Sequence, residues 1–448
     1  MKRFRSYKFW LLIIIGILSF MSNSWAIHIK IDEDSYINLS SLIRVFYLNG
    51  DKGPRSFEGE KLTPLYRWSH FRIYKARIGA TGHLNKLFHF YLMMDANESR
   101  GYEAVFWEGA AMFFFRPEFV IKIGQIRVPF SRHNFVARHL SPVMTSDGNI
   151  FLPGQFKLIL KPANPYAGGY KASQAFKRTD IGIDISGEIK NGMFRYYIGI
   201  FNQDWSAENK VWDPDQYQLG FGSAQIIHTL EDKNGFEFDA RLEFTPTMFG
   251  FKPELTVRDP SQRVKQTYLG ELPTMTFGIG FHTERHIDSL DPQIYGTSSL
   301  TRKGWAFDFS FEKKFNEIIP GLEIGYIYLD ATHFYKIALN KYREGDIKTW
   351  YIDTHLIYGK KIGIGIPGIG FRYEWVQVDG RYKNESNLTY ERYGVCVDYF
   401  LKGKSNRIGI GFDYVKAGEA LELFIKDHKD LLGDDSTFEW YIGVYVKI

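Results

Sequence analysis

Polar and apolar residues alternate along this chain with period two rather than with the 3.6-residue period of a helix. In TDIGIDIS (179–186), Ile181, Ile183 and Ile185 fall on one side and Asp180, Asp184 and Ser186 on the other. FEFDARLEF (236–244) opposes Phe236, Phe238, Leu242 and Phe244 to Glu237, Asp239, Arg241 and Glu243. WAFDFSFE (305–312) sets Trp305, Phe307, Phe309 and Phe311 against Asp308, Ser310 and Glu312, and the closing FEWYIGVYVKI repeats the style. Strict alternation over strand-length runs predicts β-strands with one apolar and one polar face. Such strands suit either a soluble sandwich or a membrane barrel.

Three features favour the barrel. The repeating unit is about ten residues, enough to cross a bilayer when tilted. The apolar faces carry Phe, Trp and Tyr near strand ends, as interfacial girdles do. The chain also finishes on an amphipathic strand instead of a polar tail. Candidate strands number seventeen, whereas a closed bacterial barrel of one chain takes an even number. The weakest is 216–229, where alternation fails at Gly220–Gly222; assigned to an outer loop, it leaves a sixteen-stranded antiparallel barrel. Turns at 116–118, 187–192 and 402–406 are short. Segments 49–66, 129–177, 203–235, 284–302, 333–347, 379–391 and 417–436 are long, and long outer loops facing short periplasmic turns are the habit of such barrels. The connection 248–273 breaks that rule, being long on the side where turns should be short.

Composition adds an address. Lys2, Arg3, Arg5 and Lys8 precede an apolar run from Phe9 to Phe20 and a Ser24-Trp25-Ala26 cleavage-like site, which predicts a secretory signal peptide over 1–26 and a barrel over 27–448. The run is shorter than the roughly 18–20 residues of a helical span, and no apolar run of that length follows. A signal peptide with a barrel predicts the outer membrane, with lipid around the wall. Removing the signal leaves 52 Lys+Arg against 51 Asp+Glu, so no nucleic-acid partner is implied. Cys396 is the single cysteine, which rules out a disulfide framework within the chain.

Charge is not spread evenly. From Lys122 to Arg178 there are nine basic residues and one acid, Asp147, an excess of +8; the rest of the chain after residue 26 is −7. KIGQIRVPFSRHNFVARHL (122–140) opens this region as a strand, then meets Pro129, which has no N–H and ends ladder pairing. Phe130, Phe135, Val136, Leu140 and Val143 give the following chain a reason to fold inward, leaving the cations between them to face the aqueous path.

The residues KIGQIRVPF (122–130), RTDIGIDISGEIKNGMFRYYIGIFN (178–202) and, more weakly, FRIYKARIGATG (71–82), ARLEFTP (240–246) and GFRYEW (370–375) resemble the phosphate-selective porins of the O and P family. The resemblance implies a sixteen-stranded barrel, usually a homotrimer, whose third extracellular loop (129–177 here) folds inward to narrow the pore. It also implies a basic path preferring phosphate or related anions; phosphate or polyphosphate is the expected solute, and no cofactor is expected. The chain departs from the family in the charged Arg132-His133 turn and in ending on Ile448 rather than an aromatic residue.

The candidate pore-lining, anion-binding residues are therefore Arg127, Arg132, His133, Arg138, His139, Lys157 and Lys161 around the loop, with Lys75, Arg77 and Arg195 on the wall. Arg241, flanked by Glu237, Asp239 and Glu243, reads as structurally paired. Gly363, Gly365 and Gly368 fit a dinucleotide fingerprint only formally, since a strand follows them. His282 and His286 span a strand end rather than a helix and predict no metal site. No spacing marks a catalytic triad, so the chain reads as a channel and not an enzyme.

Overall fold

The computed structural model describes residues 27–53, 57–58, 61–62, 66–96, 104–136, 179–202, 209–211, 224–226, 236–254, 257, 264–287, 299–330, 335–337, 340–343, 346–382, 385–427, 429 and 434–447. The predicted signal peptide and most of the basic loop lie outside them. So do residues 216–223 and 227–229 of the discounted seventeenth strand. Residues 224–226 pair only with 209–211, away from the wall.

Sixteen strands make the wall. They are β1 (Tyr36–Gly53), β2 (Tyr66–His83), β3 (Phe88–Ala96), β4 (Val105–Arg116), β5 (Phe119–Arg127), β6 (Thr179–Ile189), β7 (Phe194–Asn202) and β8 (Phe236–Phe244). The second half comprises β9 (Thr274–Ile287), β10 (Ser299–Glu312), β11 (Ile318–Asp330), β12 (Asp346–Tyr358), β13 (Ile366–Tyr382), β14 (Glu385–Lys402), β15 (Asn406–Ala417) and β16 (Ser436–Lys447). Each pairs antiparallel with the next, and β16 returns to β1 from Leu42↔Lys447 to Gly50↔Glu439, closing the barrel. Residues Ile27–Lys30 add a short strand against the foot of β1.

The alternation in the sequence is the barrel's inside-out pattern. On β8, Phe236 and Leu242 are 69% and 61% exposed, while Asp239 and Arg241 between them are essentially sealed. Apolar residues face outward, where lipid would cover them, and charged ones face the lumen. Register stacks the outward aromatics into rows: Phe194, Phe244, Phe277 and Phe309 are cross-strand partners on four successive strands, with successive ring centroids 5.2, 6.3 and 5.0 Å apart. That row lies near the short-turn end, where an aromatic girdle belongs.

Connections follow the expected alternation with three physical differences. Residues 379–391 do not form a long loop, because β13 and β14 continue as a tall hairpin to Tyr382 and Glu385. The last long connection contains a helix, Glu419–Asp427, that buries Ala420, Leu421, Phe424 and Ile425. The anomalous connection after β8 does not hang below the barrel. It makes a 3-10 turn at Thr247–Phe249, reverses at Gly250 (φ 80°) and turns up into the lumen, where Glu254, Val257, Val264, Thr267 and Tyr268 are buried.

Candidate functional site

Two of the described non-strand segments meet in the lumen. From the long-loop end, β5 stops at Arg127, Pro129 leaves the wall and Arg132–Phe135 forms one helical turn. Apolar contacts seat this turn. Phe130 is buried against His282 and the half-buried Phe135 packs on Tyr197, with centroids 5.8 and 4.9 Å apart. The approach is close at Gly280, where a Cβ would overlap the Phe130 carbonyl. The same carbonyl accepts from Arg241 Nη1 at 3.3 Å.

The second segment comes from the short-turn end, and the two meet at Glu254. Arg132 holds that carboxylate in a bidentate grip, Nη1 at 2.7 Å and Nη2 at 3.0 Å, and also reaches Glu323 at 3.2 Å. The Tyr268 hydroxyl donates to Glu254 at 2.7 Å, and Arg195 Nη1 donates to the Glu254 carbonyl at 2.8 Å. Glu312 anchors the rising chain by accepting from the Tyr268 and Gly270 amides, each at 2.9 Å. Planar, doubly hydrogen-bonded pairs of this kind are the strong form of ion pair. Burial works against the Arg132 charge, but Glu254 and Glu323 outweigh it and hold the guanidinium well above the ordinary arginine range. Burial and then the Glu254 charge push the Tyr268 phenol well above its usual value.

The sequence-derived residues fall into three groups. Arg127, Arg132, His133, Lys75, Arg77 and Arg195 are all buried on the inner side of the wall or on the inward turn. Most of them are matched by acids. Arg127 pairs with Glu108 at 2.9 Å and donates to the Phe135 carbonyl, bracing the turn. Arg77 pairs with Asp95 at 3.0 Å, and Arg195 with Glu243 at 2.8 Å. Arg241 is paired as its neighbours suggested, with Glu243 at 2.9 Å and also with Asp308 at 2.6 Å across two strands. Arg132 and His133 do not face an open path: the acids absent from their own stretch arrive from Glu254 and from Glu323, 3.7 Å from His133 Nδ1. Arg138, His139, Lys157 and Lys161 lie outside the described residues.

Three contributors were not read from the sequence. Glu254 and Tyr268 sit in a connection without alternation, and Glu323 is one acid on a strand with unremarkable patterning. Length alone marked the connection as unusual. It also carries Lys265, half-buried with its Nζ 5.7 Å from the Tyr268 ring centroid; Lys404 stands 5.2 Å from the same ring and pairs with Glu271 at 2.6 Å. Burial and the neighbouring charges of Lys404 and Lys447 bring the Lys265 ammonium down to about 8. Across the described residues, the buried charged groups number seventeen Asp and Glu against ten Lys and Arg. The described interior is thus acid-rich, and the turn at 128–136 enters an acidic barrel.

No protein-family model matches the chain. No curated protein matches it by sequence. Solved structures do match in shape. The anion-selective porin from Comamonas acidovorans superposes with a TM-score of 0.50 at 10% identity, covering 93% of this chain and all of that one. The Salmonella typhi porin OmpF, in a complex with daunomycin, gives 0.48 at 12% identity over 94% of this chain and all of that one. The outer-membrane channel DcaP of Acinetobacter baumannii gives 0.49 at 9% identity over 92% and 98% of the two chains. At 10% identity the likeness to the Comamonas porin is one of fold: the chain has a sixteen-stranded antiparallel barrel of that kind.

Proposed function

We propose that this protein is a non-catalytic outer-membrane channel, a homotrimer, through which small anions such as phosphate or polyphosphate diffuse passively. The observation that carries the reading is charge segregation: an excess of +8 over residues 122–178 of a barrel that is otherwise net negative. Arg127 and Arg132 spend their charge on Glu108, Glu254 and Glu323. The anion preference is therefore assigned to the rest of the loop, where Arg138, Lys157 and Lys161 stand with no acid but Asp147, and His139 adds charge at mildly acidic pH. A unit charge pair 4 Å apart is worth about 1 kcal/mol in bulk water and about 4 kcal/mol at an effective dielectric of 20. That range favours attraction without capture, as conduction requires.

A second reading, a general porin with mild anion bias, is favoured by the acid-rich inner wall. Reconstitution in a planar bilayer separates the two. Inhibition of the chloride current by millimolar phosphate supports the phosphate reading, and an unaffected current supports the general one. Absence of any conductance, with hydrolytic activity in its place, would overturn both in favour of an outer-membrane enzyme. Native mass measurement in detergent tests the trimer, and a monomer would refute it.

A further inference from the structure

We propose that His133, Glu323 and Asp353 form a site for one divalent metal ion of the zinc or manganese class, clamping the inward turn to the barrel wall. One donor atom from each of the three lies within 4.8 Å of the others, and all three residues are buried. Glu323 on β11 and Asp353 on β12 are direct cross-strand partners. Like charges placed directly opposite on neighbouring strands are destabilising, so something positive is called for between them.

The arginines nearby supply only part of it. Arg132 takes one oxygen of Glu323, and Arg372 Nη1 stands 3.6 Å from Asp353 Oδ1, too far for a hydrogen bond. Glu323 Oε1 and both carboxylate oxygens of Asp353 accept no hydrogen bond, although Asp353 is only 1% exposed. Each arginine is also shared, Arg132 with Glu254 and Arg372 with Glu374. Arg132 and Arg372 thus face Glu254, Glu323, Asp353 and Glu374, a local balance of −2. The adjoining pairs, Arg392 with Asp413 and Arg241 with Asp308, compensate themselves. Among the described residues, a divalent ion is the charge that would close this balance.

The donors suit such an ion. One imidazole and two carboxylates are ligands for zinc, manganese or ferrous iron rather than for calcium or copper(I). Donors about 2.1 Å from a shared ion stand at most ~4.2 Å apart, so the three need draw together by only roughly an ångström. His133 belongs to the one-turn helix of the inward segment, whereas both carboxylates belong to the wall. Its ring already lies against Tyr351, centroids 4.7 Å apart. A second grouping, Glu237, Asp239 and His282, is similarly close, but there His282 Nδ1 lies within hydrogen-bond distance of Asp239, at 3.0 Å.

The test uses the full folded chain in detergent, stripped with a chelator and titrated with Zn²⁺ and with Mn²⁺ by calorimetry. The proposal expects one ion per chain, binding at least tenfold weaker in His133→Ala and in Asp353→Asn but unchanged in His282→Ala. A melting temperature raised by Zn²⁺ in the unmodified protein but not in His133→Ala supplies a second reading on a variant outside the wall strands. No ion taken up by the unmodified chain would overturn the proposal, as would an affinity in His133→Ala and Asp353→Asn equal to that of the unmodified chain.

Discussion

Two of the described non-strand segments, residues 128–136 from the long-loop end and residues 245–254 with 264–273 from the short-turn end, bring opposite charges to their meeting point. The first is short, basic and seated by Phe130 and Phe135. The second is long, rises through Pro246 and Pro253, and delivers Glu254. Neither could bury its charge alone, because an isolated charge in such a place costs several kcal/mol. Each finds its strongest partner in the other, with Glu323 of the wall and the Tyr268 hydroxyl completing the set. A run of cations in a sequence therefore does not by itself mark a site that solutes can reach.

The largest expected effect comes from breaking that partnership. Glu254→Ala leaves Arg132 buried with Glu323 as its one remaining carboxylate partner and the Lys265 carbonyl at 3.4 Å, and should cost roughly 3–5 kcal/mol in unfolding free energy. Arg132→Ala should do nearly as much harm. The double variant should recover a substantial part of the loss, since it removes both charges; strictly additive losses would mean that the two segments are energetically independent. A smaller effect is expected at Gly280, where any side chain meets the Phe130 carbonyl. Gly280→Val should destabilise by about 1–3 kcal/mol and change single-channel conductance by displacing the inward turn. Unaltered conductance would show that this turn does not bound the pore.

Subtler is the pH behaviour of the second segment. Lys265 faces Lys404 and Lys447, with Glu271 and Glu254 as the nearby acids, and its ammonium is brought down to about 8. It is charged below that pH and neutral above it, so anion preference should fall as pH rises from 7 to 9, and Lys265→Gln should flatten the response. The stability sign follows from the same shift. Because the unfolded chain holds this proton up to about 10.4, unfolding free energy should rise with pH between about 8 and 10. A response as steep in Lys265→Gln as in the unmodified protein would assign the titration to another group.

The wall was legible because alternation is a local signal that needs no partner. Asp239 and Phe238 declare their opposite faces within three residues, and sixteen such runs fixed the strand number once 216–229 was set aside. The exit at Pro129 was legible for an equally local reason, a missing N–H. What escaped depends on distant chain. The pairing of Arg132 with Glu254 joins residues 122 positions apart, and no charge count within 122–178 could reveal it. The helix Glu419–Asp427 escaped for a different reason. Ala420, Leu421, Phe424 and Ile425 do carry helical spacing, but a nine-residue helix offers too few repeats to stand out among strands. The hairpin at 379–391 read as a loop because β13 and β14 run past the apolar band, where polar residues replace the alternation.

Selectivity is where the acid-rich inner wall and the proposed anion-attracting loop are weighed against each other. The direct measurement is the reversal potential of the purified, unmodified protein in a planar bilayer under a tenfold KCl gradient. The cations beyond Val136 are expected to prevail and set the potential toward that of chloride, and replacing Arg138, Lys157 and Lys161 together by Gln should move it back. A reversal potential on the potassium side in the unmodified protein would contradict the anion reading, leaving the loop's charge as no more than the counterweight to an acidic barrel.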